Sequence, residues 1–218
     1  MDNEINQTQW TIRLGDWANS GSYNTATRPS DFMLNHLKAF QQATGDTRWT
    51  NVIDKTYTII NSLYTGYSSS TGLLPDFVVY SGGVYKPAAA NFLEDANDGN
   101  YNYNSCRTPW RIATDYLITG DSRALTQLNK MNTWIKTKVS STPGSIKDGY
   151  KLNGTVFGSY NSGAFYAPFG VSAMTSSTYQ SWLNSLWSHT ASSAAEDYYE
   201  DSIKLFSMIV MSGNWWTY

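Results

Sequence analysis

Thr44-Gly45-Asp46-Thr47-Arg48 recurs, one conservative exchange apart, as Thr119-Gly120-Asp121-Ser122-Arg123. Each copy stands between two segments whose apolar residues fall at helical spacing. Ahead of the first copy Met33, Leu37 and Phe40 share a face, with Ser30 as the expected N-cap after Pro29. Behind it Trp49, Val52, Ile53, Tyr57, Ile60 and Leu63 keep the i, i+3, i+4 rhythm. The second copy follows Trp110, Ala113, Thr114 and Leu117 and precedes Leu125, Leu128, Trp134, Ile135 and Val139. Glycine takes the left-handed backbone that closes a helix, and an aspartate just after it accepts an N–H of the next helix's first turn. The repeat is thus a connector between paired helices.

Working outward, further helices are expected at about 163–174, with Pro168 near a start or a kink, and at about 178–190, carrying Trp182, Leu186 and Trp187. A last one runs from near Asp201 to Met211 and stops at Gly213. Loops rich in Tyr, Asn, Ser and Gly separate them at about 66–100 and 141–162, and loops of such length in a compact domain usually carry function. The fold class is all-α, and the chain is expected to form a single domain over 1–218. Helical hairpins can assemble as a solenoid, a bundle or an α/α toroid. The loop composition favours the toroid, which gathers inner-helix N-termini and long loops at one rim; periodicity leaves the solenoid open.

Lys plus Arg is 15 against 17 Asp plus Glu, without a basic run, which argues against a nucleic-acid partner. Charged residues are 15% and aromatic residues another 15%, so the surface is suited to stacking on something flat and polar, as sugars are. Two histidines, His36 and His189, exclude a His-rich metal site, and no metal or cofactor is expected. The lone Cys106 forms no internal disulfide, and a buried thiol is its default reading. No apolar run approaches membrane-spanning length and the N-terminus has no signal-peptide pattern, so no membrane partner is expected. Asp95-Ala96-Asn97-Asp98-Gly99-Asn100 misses the calcium-loop pattern by one position and reads as a tight turn.

The densest stretch is Asn91–Arg111, NFLEDANDGNYNYNSCRTPWR. Together with Leu14-Gly15-Asp16-Trp17, Thr27-Arg28-Pro29-Ser30-Asp31-Phe32, Gly72-Leu73-Leu74-Pro75-Asp76-Phe77 and Ser212-Gly213-Asn214-Trp215-Trp216, it resembles glycoside hydrolase family 8. The likeness is closest to the bacillus-type branch of lichenases and chitosanases and covers nearly the whole chain. What the resemblance implies is an (α/α)6 toroid that cleaves β-1,4 bonds in glucan, mixed-linkage glucan or chitosan with inversion. Inversion needs one carboxylic acid to protonate the leaving oxygen and one carboxylate to activate water on the opposite face.

One branch of the family takes its base from an aspartate in a Tyr-Asp-(Ala/Ser)-X-X-Arg-like segment, where this chain reads Tyr103-Asn104-Ser105-Cys106-Arg107. Asn104 is no base, but it can hold a water or a sugar hydroxyl. The lichenase and chitosanase branch supplies a glutamate from the loop upstream, which matches Glu94, one of four glutamates beside Glu4, Glu196 and Glu200. The resemblance thus implies Glu94 as general base, with the adjacent Asp95 as rival, and Asn104 and Arg107 as its orienting partners; a solvated loop carboxylate and a structural ion pair are the bland alternatives. Arg28 and Asp31 are candidate cleft contacts, although Asp31 and Asp16 also suit helix caps. Trp17, Phe77 and Tyr103 are candidates to stack on sugar rings, against the commoner use of aromatic residues as core. Trp215 and Trp216 read as packing residues.

The family's general acid and a further aspartate signature lie upstream of the Gly-Asp-Trp motif, and neither is present here. The helices also fall short of a full (α/α)6 toroid. The resemblance therefore implies the C-terminal part of such an enzyme, with the acid in a missing upstream segment. The expected partners are a polysaccharide and a complementary N-terminal segment or second chain, with an extracellular location. The alternative is a non-catalytic carbohydrate-binding or assembly fragment.

Overall fold

The computed structural model describes residues 1–216. Its helices are α1 (Leu34–Thr44), α2 (Arg48–Tyr67), α3 (Thr108–Thr119), α4 (Leu125–Lys138), α5 (Gly163–Ala173), α6 (Gln180–Ser192) and α7 (Tyr198–Met211). Both connectors form as expected. Gly45 and Gly120 end α1 and α3 at φ of 65° and 71°, and Asp46 and Asp121 accept the backbone N–H of Arg48 and Arg123. Arg48 and Arg123 then fold back onto their own aspartates with Nη2–Oδ2 distances of 2.7 Å in both copies.

Ser30 does not cap α1. Pro29–Asp31 forms a single tight turn, and Phe32 and Met33 leave helical dihedrals before α1 starts at Leu34. Pro168 lies inside α5 rather than near its start. The stretch 66–100 also contains strands the helical pattern did not reveal. β3 (Val78–Ser81) and β4 (Val84–Pro87) pair antiparallel around Gly82-Gly83, in register Tyr80↔Tyr85. The short β1 (Ile5–Asn6) and β2 (Thr11–Ile12) pair near the N-terminus.

The helices form two layers. α1 lies beside α3, α3 beside α5 and α5 beside α7, while α2, α4 and α6 each pack on the helix before them. Every residue of α5 is buried, which follows from its uniformly small and apolar sequence, GAFYAPFGVSA. One core lies between α1, α2, α3 and the β3–β4 hairpin, with Phe32, Ile60, Leu63 and Leu74 at its centre. A second surrounds α5, with Tyr101, Tyr150, Phe165, Phe169 and Trp182. The architecture is the all-α hairpin assembly of the α/α toroid class.

The segments that precede α1, α3, α5 and α7 meet at one rim. Arg107, before α3, donates to Ser30, before α1, at 3.0 Å. The Tyr103 ring packs edge-on against Phe165 of α5 at 5.0 Å, and the Tyr199 hydroxyl of α7 donates to the Tyr103 carbonyl. Gly163 N–H at the start of α5 donates to Glu196, before α7, at 3.0 Å.

Candidate active site

Glu94 sits on the loop between β4 and α3, and Asp98 builds that loop. The buried Asp98 carboxylate accepts the N–H groups of Leu93 at 2.7 Å, Glu94 at 3.0 Å and Asp95 at 3.0 Å. Three backbone donors converging on one carboxylate fix the main chain that carries Glu94 and leave its side chain exposed. The 95–100 segment is a turn, with Asp98 turned inward onto peptide groups.

Asn104, Arg107 and Glu94 come together. Asn104 Nδ2 donates to Glu94 Oε2 at 2.7 Å, and Arg107 Nη2 donates to Asn104 Oδ1 at 3.1 Å. Arg107 also donates through Nε to the Asn104 carbonyl at 3.2 Å, and its guanidinium lies 5.8 Å from the centre of the Tyr199 ring. Its link to Glu94 thus runs through the Asn104 amide. One Glu94 oxygen is oriented by a hydrogen bond while the group stays open to solvent, which is what a carboxylate that deprotonates water requires.

Beneath this trio lies Asp76, buried, which accepts from Asn102 N at 3.1 Å, Asn104 N at 3.2 Å, Ser105 N at 2.7 Å and Ser105 Oγ at 2.6 Å. Burial pushes its carboxyl up to about 6, against the opposing pull of these donors.

Tyr103 stands beside Asn104 with 37% of its surface exposed and its hydroxyl on Asp148 at 3.0 Å. Burial, with the Asp148 hydrogen bond second, raises its phenol above the ordinary range, so the ring is neutral. Polar hollows of about 310 Å³ and about 550 Å³ flank it; Asp148 and Asn102 line the first, Glu196 and Glu200 the second, and Tyr160 both. Trp17 is 53% exposed and meets Tyr23 edge-on at 5.5 Å; Tyr23 in turn packs on Phe92, two residues before Glu94, at 5.2 Å. Trp17 is thereby tied to the Glu94 loop.

Arg28 and Asp31 bind each other at 2.9 Å on either side of Ser30, which holds Arg107. Phe77 requires a correction. It is 0% exposed and packs under Phe92 at 6.3 Å, so its ring supports the Glu94 loop from inside and is closed to a sugar. Trp215 packs edge-on against Trp110 at 6.2 Å, whereas Trp216 stacks on Trp215 and is largely exposed. Cys106 is buried, and burial pushes its thiol up to about 12, which leaves it inert.

Asp76, Asp98, Asp148 and Tyr199 were not singled out by the sequence. Asp76 lies in the Gly72–Phe77 segment and Asp98 in the 95–100 turn, but the first acts across a long sequence separation and the second only on peptide N–H groups. Neither relation leaves a spacing signature.

A family model described as glycosyl hydrolases family 8 matches residues 5–213. A beta-glucanase of Niallia circulans is 78% identical over 218 residues, all of this chain and 53% of that protein. An endoglucanase of Bacillus sp. (strain KSM-330) is 40% identical over 206 residues, 94% of this chain and 43% of that protein. The solved apo structure of a beta-1,3-1,4-glucanase from Paenibacillus sp. X4 superimposes with a TM-score of 0.99 at 77% identity, over 100% of this chain and 58% of that one. The chain spans about half the length of the curated relatives it matches.

Proposed function

The chain belongs to glycosyl hydrolase family 8, and from that membership we propose that it contributes the water-activating side of an endo-acting, inverting glycoside hydrolase centre. The observation that carries this reading is the hydrogen-bonded line Glu94–Asn104–Arg107 at the rim, beside the exposed Tyr103 ring. Glu94 takes a proton from water, and the water oxygen bonds to the anomeric carbon from the face opposite the leaving group. The glycosidic C–O bond breaks, and its oxygen takes a proton from a carboxylic acid contributed by residues outside this chain. Asn104 holds Glu94 and Arg107 holds Asn104, while Trp17 and Tyr103 stack on sugar rings and Arg28 and Asp31 contact hydroxyl groups.

The substrate is a β-1,4-linked glucan of the mixed-linkage or cellulose type, in preference to chitosan. The relatives named beta-glucanase and endoglucanase support that preference. A polymer too large to enter a cell sets the work outside it.

The test is Glu94→Gln in this chain joined to the portion of its relatives' length that it lacks. Turnover on mixed-linkage glucan falls by about 10²–10⁴-fold, with oligosaccharide affinity unchanged. Turnover near wild type removes Glu94 from the role and makes Asp95 the candidate. The half-length match favours a second reading, a fragment that binds glycan without cleaving it. Titration of the 218-residue chain with gluco-oligosaccharides distinguishes them: binding without release of reducing ends, unchanged after completion of the chain, supports the binding module.

A further inference from the structure

Asn104 is the only side chain of the trio that touches two carboxylates. One proton of its amide points to Glu94 Oε2 at 2.7 Å, and the same nitrogen lies 3.5 Å from Asp76 Oδ2. Its amide oxygen accepts from Arg107. With acceptors on the nitrogen side and a cation on the oxygen side, the amide has one favourable orientation, since a flip would set its oxygen against two carboxylates. Asp76 also holds the main chain on which Asn104 rides, through the N–H groups of residues 102, 104 and 105 and the Ser105 hydroxyl. An ionised carboxylate serves all these donors; a protonated one turns an acceptor position into a donor and faces N–H groups with it.

We propose that Asp76 is a positioning residue for Glu94: acting through Asn104, its ionised carboxylate keeps the amide directed at the Glu94 carboxylate. The relevance of this to catalysis rests on the reading of Glu94 as base, but the coupling itself is a property of this chain and is measured without turnover.

The groups that face Asp76 leave its titration distinct. Tyr101 and Cys106 come from its own loop neighbourhood, Tyr199 from α7, and Glu94 and Arg107 lie across Asn104. Burial raises Tyr101, Cys106 and Tyr199 and keeps them neutral through acidic and neutral pH. Asp76, raised by burial to about 6, changes charge where they do not.

The experiment is ¹⁵N NMR of the 218-residue chain, following the side-chain amide of Asn104 and the backbone amides of Asn102 and Ser105 as pH is lowered. The expected result is one shared titration step in all of these signals, near pH 6. Asp76→Asn abolishes the step, and Glu94→Gln leaves it in place while changing the Asn104 side-chain shifts. Should Asp76→Asn not fold, Ser105→Ala deletes a single donor; all the signals, the Asn104 side chain included, then move to a higher midpoint together. A step that vanishes in Glu94→Gln belongs to Glu94 itself and overturns the proposal. So does an Asn104 side chain that stays still while Asn102 and Ser105 titrate. Neither result bears on whether Glu94 is the base, which the turnover test decides.

Discussion

The buried Asp98 carboxylate holds the backbone of residues 93–95 by three hydrogen bonds, one of them from Glu94 itself. Asp98→Ala leaves three N–H groups without their acceptor, at a cost of about 2–4 kcal/mol. Amide exchange at Leu93, Glu94 and Asp95 is expected to accelerate more than at α3 or α5, by hydrogen-exchange measurement. Gly15 has a different residue-scale role. A Cβ there would lie 2.6 Å from the Trp17 indole nitrogen, so Gly15 is what lets the ring fold back over the chain. Gly15→Ala is expected to displace Trp17 and weaken oligosaccharide binding by about threefold to tenfold, the loss of one stacking contact, with an unchanged melting midpoint. Intrinsic fluorescence titration measures it; unaltered affinity would take Trp17 out of the cleft. At this scale a motif carries the side chains themselves at Glu94, Asn104 and Arg107, which the structure brings into one hydrogen-bonded line. The sequence reading failed at Phe77, because a motif does not say which way a ring faces, and Phe92 covers this one.

Among the elements, the two connectors differ in one respect that matters for stability. Asp121 of the second takes Lys38 of α1 at 3.0 Å as well as its own Arg123, and Lys38 also reaches the fully buried Asp115 of α3 at 2.8 Å. The Tyr57 hydroxyl of α2 donates to the same Asp115 carboxylate. Lys38 thus clamps α1, α3 and the turn before α4. Lys38→Met leaves Asp115 buried without its cation and is expected to cost about 3 kcal/mol in urea unfolding. The hydrogen bond from Arg123, then that from Lys38, hold the Asp121 carboxyl below the usual carboxylate range. Because its folded-state value is depressed, Asp121 stabilises the fold above the ordinary aspartate value and loses that contribution as pH falls below it. Asp121→Asn is expected to flatten the acid limb of stability against pH. The connectors were legible because glycine and aspartate act locally. The clamp was not, since Lys38 meets its partners only after α1 and α3 pack, and β3–β4 escaped a reading tuned to helical periodicity.

At the scale of the whole molecule, α1 and α7 stand at opposite ends of the inner row of helices. α7 presents Leu205 and Phe206, and Trp216 beyond it is 73% exposed. Beside α1 a hollow of about 570 Å³ is lined by Ile5, Ile12, Leu37, Phe40 and Trp49. Exposed apolar residues grouped in this way attract hydrophobic probes. The 218-residue chain is expected to bind a hydrophobic dye, and Leu205→Gln with Phe206→Glu to reduce that signal while leaving the melting midpoint within a few degrees.

The configuration of the reducing end at the moment it forms tests the water-activating role of Glu94 most directly. This chain, joined to the portion of its relatives' length that it does not span, is to be followed by ¹H NMR on a β-linked gluco-oligosaccharide before mutarotation. If Glu94 activates a water on the face opposite the leaving group, the first product carries the α-anomer. A β-anomer would mean that a carboxylate attacks carbon directly, and Glu94 could not then be the base described here.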